Sequence, residues 1–193
     1  MPDRRTQKHG TAKGERIAVG DEGTQTGDGH DQVQAVVVRP VQAADIRALV
    51  ELLTQLHPAY PPDPNRAEVI LDEAMRQAGR TLLVATVGDR VVGTADLLIV
   101  PQLTHGCQPW AIVENVVVDQ ATRGGGVGRA MVTEALRRAN EAGCYTMQLV
   151  SLRQRPDAHA FYEGLGFVAV AEGFRNYFQG FAPTGEPDSA NEQ

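Results

Sequence analysis

Residues 112–131 read Ile112-Val113-Glu114-Asn115-Val116-Val117-Val118-Asp119-Gln120-Ala121-Thr122-Arg123-Gly124-Gly125-Gly126-Val127-Gly128-Arg129-Ala130-Met131. An apolar strand runs into a glycine-dense turn, and the turn opens a helix. Four of the five residues 124–128 are glycine, which removes side chains where the backbone must approach something and permits φ > 0. The first turn of the following helix carries unpaired N–H groups and the positive end of the helix dipole. Together these make an anion site, for which a phosphate is the usual occupant. No lysine follows the glycines, so the turn is not a P-loop. A dinucleotide turn fails too: Gly124, Gly126 and Ala130 miss the required spacing, and no N-terminal βαβ unit surrounds them. On the glycines alone, a structural tight turn stays open as the competing reading.

The alternation on either side fixes the fold class. Residues 36–38 form an apolar run ending at Pro40, a first strand. Ile46, Leu49, Val50, Leu53 and Leu56 recur at helical spacing, with Asp45 in the first turn. The proline-rich stretch 57–64 breaks that helix, and a second is expected over about 65–78. Residues 81–87 and 91–100 flank Gly88-Asp89-Arg90 and read as a hairpin. After strand 111–118 comes a helix over 126–142, with Val127, Ala130, Met131, Ala135 and Ala139 on one stripe and Gly143 at its C-terminal cap. A strand at 146–150, a short helix at 157–165 and strands at 167–170 and 174–178 complete the order β-α-α-β-β-β-α-β-α-β-β. That pattern is α/β: a mixed central sheet flanked by helices on both faces.

Composition narrows the function classes. The 193 residues, 42% apolar and 22% charged, suit one globular domain. Residues 1–32 have no aromatic residue, several glycines and mixed charge, and read as a disordered arm. Residues 182–193 read as a disordered tail, leaving a domain over 33–181. Acidic residues outnumber basic ones 24 to 18, a net charge of −6, which argues against a nucleic-acid partner. No run approaches the ~18 apolar residues of a membrane span. Cys107 and Cys144 stand 37 positions apart, outside any CxxC or Cys/His cluster, so no metal site is expected. Two isolated cysteines and a polar N-terminus without an apolar h-region point to the cytoplasm.

With these residues in view, the chain resembles the GNAT acetyltransferase superfamily. Arg123-Gly124-Gly125-Gly126-Val127-Gly128 matches that family's Arg/Gln-x-x-Gly-x-Gly/Ala signature, between a hydrophobic strand and an amphipathic helix. Downstream, Ala158-His159-Ala160-Phe161-Tyr162-Glu163-Gly164-Leu165-Gly166-Phe167 resembles its A-x-x-F-Y-E-x-x-G-F element. The resemblance covers roughly residues 35–178. It implies the GNAT acyl-CoA N-acyltransferase fold, acetyl-CoA as donor and a primary amine as the usual acceptor. On this reading the amides of Gly124, Gly125, Gly126, Val127, Gly128, Arg129 and Ala130 hold the pyrophosphate, with charge added by Arg123 and Arg129. In GNAT folds the strand before the loop splays from its neighbour. Free backbone at Val116, Val117 and Val118 would then pair with the pantetheine arm like an added strand. Burial of the same side chains in a core strand is compatible with that role.

Amine acetylation needs a neutral amine, a polarised thioester carbonyl and a proton for the leaving thiolate. Glu114 is the candidate base. It is a carboxylate in an otherwise apolar strand, a costly position without a task or a partner. Many GNAT enzymes carry an acid or histidine here, nine residues before the loop Arg/Gln. Strict alternation puts Ile112, Glu114, Val116 and Val118 on one face and turns Asn115 away. The Val116 N–H is a candidate to polarise the carbonyl. Tyr162 is the candidate acid, since GNAT enzymes often aim a tyrosine here at the CoA sulfur. The competing readings are a structural ion pair for Glu114 and a core tyrosine for Tyr162. Where many members have an asparagine near the pantetheine this chain has Arg155, which departs from the pattern. Arg153 and Arg155 either meet cofactor or an anionic acceptor, or face solvent.

Acceptor choice is expected from the variable segments 55–64, 101–110 and 172–180, with Trp110 either walling the acceptor pocket or anchoring its loop. Glu114-Asn115-Val116-Val117-Val118 followed by Gly143-Cys144-Tyr145 is similar to glucosamine-6-phosphate N-acetyltransferases, which typically show Glu-Asp at the first position. The expected function is acetyl transfer by direct attack from the primary amine of a small molecule: an amino sugar, an amino acid or an antibiotic-like amine. A protein N-acetyltransferase and a non-catalytic acyl-CoA-binding module are the alternatives. The resemblance is also compatible with a homodimer through the C-terminal strands.

Overall fold

The structure is a computed structural model that describes residues 35–178. The arm read at 1–32 and the tail read at 182–193 lie outside the described residues. A five-stranded sheet runs in the order β1 (Val36–Pro40), β2 (Arg80–Val87), β3 (Arg90–Val100), β4 (Trp110–Val118) and β5 (Met147–Gln148). The first four strands pair antiparallel and β5 joins β4 in parallel, which makes the sheet mixed. The β2–β3 turn uses Gly88 at φ 58°, the backbone region a tight hairpin demands.

Both faces of the sheet are covered. Leu83, Ala85, Ala95, Leu97 and Val113 meet Met131 and Ala135 of α3 (Val127–Glu141) on one side. Leu82 and Val84, the alternate residues of β2, meet Leu49 of α1 (Ile46–Leu56) and Leu71 of α2 (Pro64–Arg76) on the other. Gly93 makes room for the tip of Met131 from α3, because a Cβ there would stand 2.9 Å from Met131 Cε. Helix α2 begins where the sequence supplies a cap. The Asp63 carboxylate accepts from the N–H groups of Asn65 at 2.9 Å and Arg66 at 3.1 Å, with Pro64 in the first turn. Helix α3 ends at Gly143 with φ 76°, a left-handed stop.

Three expected strands differ at the C-terminal side. The strands expected at 167–170 and 174–178 are not strands, and that at 146–150 shrinks to the two residues of β5. Val168, Val170, Phe174 and Phe178 are strongly exposed. A strand is stabilised by packing against cross-strand and same-face neighbours, and these side chains have little of either among the described residues. Helix α4 (Pro156–Glu163) precedes this segment.

The entry to α1 is held electrostatically. Asp45, 8% exposed, accepts from Arg39 Nη1 at 2.7 Å, Arg39 Nη2 at 2.8 Å and the Gln42 N–H at 2.8 Å. The Arg39 hydrogen bond is the main reason its carboxyl titrates below the usual range, with burial opposing. A depressed folded-state pKa means this stabilisation is full above the unfolded value of about 3.9 and is lost as pH falls through the lower folded value. Asp45→Ala is therefore expected to reduce stability by about 2 kcal/mol at pH 7. The deficit relative to wild type should shrink below about pH 4. Denaturant melts at pH 7 and pH 3 measure both, and an equal deficit at the two pH values contradicts the assignment.

Candidate active site

Strand β4 carries one residue more than β3 across its middle. Thr94 pairs with Val117 and Asp96 with Glu114, so Ala95 faces both Asn115 and Val116. Asn115 takes up the extra residue at φ 52°, a β-bulge. The bulge reverses the strand's parity and corrects the expected alternation. Glu114 stands beside Asp96 on the α1/α2 side. Val116 and Val118 pack into the α3-side core, where Val118 Cγ2 lies 3.6 Å from the Cβ position of Gly128. Asn115, expected to point away, instead lines a cavity together with Asp96.

The same strand is half unpaired along its other edge. Pairing with β5 covers only Ala111 with Met147 and Ile112 with Gln148. From residue 113 onward that edge of β4 has no strand partner among the described residues, so those peptide groups of 113–118 that point away from β3 face a gap. The gap leads to the glycine turn. Gly124 at φ 83° and Gly126 at φ 78° hold it in a left-handed conformation, and a Cβ at either would meet nothing within 4 Å. Gly126 is also the N-cap of α3 and gives the first-turn N–H groups no side-chain acceptor. An open, positively polarised helix start therefore lies at the end of an unpaired strand edge, which suits an anion joined to an amide-bearing arm.

Neighbouring contacts fix the turn. The Gln120 N–H donates to Gln55 Oε1 of α1 at 3.1 Å, and the Asp119 N–H donates to the Val92 carbonyl at 2.8 Å. Arg123 folds back so that its Nε donates to the Val118 carbonyl at 3.3 Å. Gly128 lets the Phe161 ring rest on the start of α3, since a Cβ there would be 3.3 Å from Phe161 Cζ. That contact seats α4 and so positions the next residue, Tyr162. The Tyr162 ring packs edge-on against Phe161 and Phe167, with centroids 5.0 and 5.7 Å away.

Glu114 and Tyr162 come into electrostatic reach of each other. Burial pushes the Glu114 carboxyl above its usual range; Arg175 pulls it down and the Asp96 carboxylate pushes it up. Burial likewise raises the Tyr162 phenol, with Arg155 opposing and Glu114 adding to the rise. Both groups are desolvated and Tyr162 senses the Glu114 charge, so burial moves the carboxyl toward neutrality and keeps the phenol protonated there. A cavity of about 350 Å³ opens between α1, α2 and the sheet; Asp96 and Asn115, the neighbours of Glu114, line it, whereas Glu114 and Tyr162 do not. Its apolar wall includes Ile46, Leu53 and Ile70, and its polar groups include Asp63, Arg66, Arg80 and Asp96.

Arg155 and Arg175 stand near the Glu114–Tyr162 pair, whereas Arg153 pairs with Glu172 at 3.4 Å on the surface. Trp110 opens β4 opposite Val100 and does not line the cavity, which favours the anchoring role. His105 stacks on Tyr145 with centroids 4.1 Å apart, and His159 Nε2 lies 2.9 Å from the Leu152 carbonyl oxygen. No helix among the described residues is long and apolar enough to cross a membrane. Three residues were missed in the sequence. Asp96 was legible, as another lone carboxylate in an apolar strand. Its partner Arg80 carries no such mark. Ser151 carries none either, yet its Oγ is buried without a hydrogen-bond partner among the described residues, shortly after β5.

The model of the Acetyltransferase (GNAT) family matches residues 46–167. A glucosamine 6-phosphate N-acetyltransferase of Trypanosoma brucei brucei is 34% identical over 134 residues, covering 68% of this chain and 88% of that protein. A probable glucosamine 6-phosphate N-acetyltransferase of Drosophila melanogaster is 31% identical over 138 residues, covering 69% of this chain and 61% of that protein's length. Among solved structures, a putative acetyltransferase from Agrobacterium tumefaciens superposes with a TM-score of 0.71 at 39% identity, covering 73% of this chain and 99% of that one.

Proposed function

We propose that this chain, which belongs to the acetyltransferase (GNAT) family, moves the acetyl group of acetyl-CoA onto the primary amine of a small molecule, with an amino-sugar phosphate as the first candidate acceptor. The observation that carries the reading is the unpaired edge of β4 running from Glu114 to the open glycine turn. The pyrophosphate of acetyl-CoA docks on the N–H groups of residues 124–130, and its pantetheine amides pair with Val116, Val117 and Val118. This seats the thioester beside the bulge, where the Val116 N–H polarises the carbonyl. The acceptor occupies the α1/α2 cavity. Its nitrogen attacks the carbonyl carbon and the N–C bond forms. The amine proton passes to Glu114, the C–S bond breaks, and the sulfur takes the Tyr162 proton. The amino-sugar phosphate is supported by the names of the relatives and by Arg155 and Arg175 beside the site. Cytoplasmic residence and a homodimer belong to the same reading. The exposed Val168, Val170, Phe174 and Phe178 are the surface a second copy would cover, and a monomer in sedimentation removes that part.

The test is thiol release from acetyl-CoA against amino-sugar phosphates, free amino sugars, amino acids, aminoglycosides and short peptides. Turnover is expected first with glucosamine 6-phosphate. Turnover with peptides instead makes the chain a protein acetyltransferase. Calorimetry that finds no acetyl-CoA binding removes the reading of the glycine turn.

A further inference from the structure

Strands β2 and β3 hold an ion pair, in the wall of the cavity assigned to the acceptor, that the proton transfers above do not use. Asp96 is 5% exposed in an otherwise apolar strand. Its carboxylate receives Arg80 Nε at 3.0 and 3.1 Å and a further bond from Arg80 Nη2. Arg80 is in turn steadied by Gln77, whose Oε1 accepts from Nη1 at 3.2 Å. A part-buried pair of this kind is weak evidence for stability, since desolvating its charges offsets much of their attraction. Its place in the ladder is what matters. Asp96 is directly opposite Glu114, where cross-strand side chains share a face about 5 Å apart. Arg80 lies one strand further out. The pair is therefore an oriented dipole with its negative end toward Glu114.

We propose that the Arg80–Asp96 ion pair is a positioning element for Glu114, its negative end setting the field in which the Glu114 carboxyl takes up and releases its proton. The proposal rests on the reading of Glu114 as the base. Other titratable and charged groups stand around Glu114 or around the cavity next to it. Arg175 comes from the C-terminal segment, Tyr162 from α4 with Arg155 at that helix's start, and Asp63 and Arg66 from the cavity's far wall at α2. Helix α1 presents apolar residues to this cavity, and its Arg47 and Glu51 lie on a different groove. Among all these, Asp96 is the one held directly across the ladder by a fork of hydrogen bonds, so its charge cannot swing away.

The experiment is a variant series read as the acid limb of kcat/KM and, independently of activity, as the 13C titration of the Glu114 carboxyl in the free protein. Asp96→Asn removes the negative end and leaves Arg80 bare, so the limb moves to lower pH. Arg80→Gln leaves the carboxylate unopposed, so the limb moves to higher pH. The double variant carries no charge and, if either single variant fails to fold, still tests the idea: its limb falls below wild type by less than that of Asp96→Asn. About one pH unit should separate the two single variants. A merely structural pair would move all variants the same way or not at all, and either result overturns the proposal. The base assignment fails separately. In that case Glu114→Gln keeps the acid limb, while the carboxyl titration still reports whether Asp96 and Glu114 are coupled.

Discussion

Glu114→Gln is expected to lower kcat by about 100- to 1,000-fold, with the Kd for acetyl-CoA unchanged. The substitution keeps the shape and removes the ability to take a proton together with the negative charge. Glu114 lies on the α1/α2 side of β4, whereas the edge proposed to hold the cofactor is backbone, so donor binding is spared. The pH profile gives the sharper reading. Burial holds the Glu114 carboxyl above its usual range. As pH falls through that raised value the base is protonated and wild-type kcat/KM drops, so the limb lies at higher pH than an ordinary glutamate would place it. The variant should lose this limb and retain a low, flat residual rate. Steady-state kinetics with isothermal calorimetry checks both parts. Activity within threefold of wild type would assign the proton to another group.

The sequence makes the fold legible where local chemistry and tertiary packing agree. The apolar stripe of α1, the hairpin around Gly88 and the left-handed stop at Gly143 each follow from residue type at a fixed spacing, and each is present. The site is legible through the glycine turn and through Glu114, a carboxylate that an apolar strand would otherwise reject. The bulge at Asn115 leaves no such mark. One extra residue among valines does not change composition or hydrophobicity, yet it moves Val116 and Val118 to the other face and Asn115 to the cavity. The C-terminal strands fail for the opposite reason. Residues 167–178 are apolar enough to read as strands, but strand formation needs an edge to pair with, and the two-residue β5 offers almost none. Pairing is a property of the neighbour as much as of the segment.

Tyr162→Phe is the other large effect, an expected loss of about 100-fold in kcat with little change in the KM for acetyl-CoA. The side chain divides into two parts with separate jobs. Its ring is fixed edge-on between Phe161 and Phe167, and phenylalanine preserves those contacts, so α4 and the cofactor gap remain in place. Its hydroxyl has a different duty. Burial raises the phenol above its usual value of about 10. The proton is therefore retained throughout the neutral range and is available at the instant the sulfur leaves. A free thiolate in a desolvated gap is costly, and supplying that proton removes the cost in the transition state and not in the bound complex. Loss of the hydroxyl should accordingly appear in kcat and in kcat/KM together. It should also shrink with an acetyl donor whose thiol is more acidic, because such a leaving group needs less help. A rise in the KM for acetyl-CoA at constant kcat would instead make Tyr162 a packing residue of the gap and move the acid elsewhere.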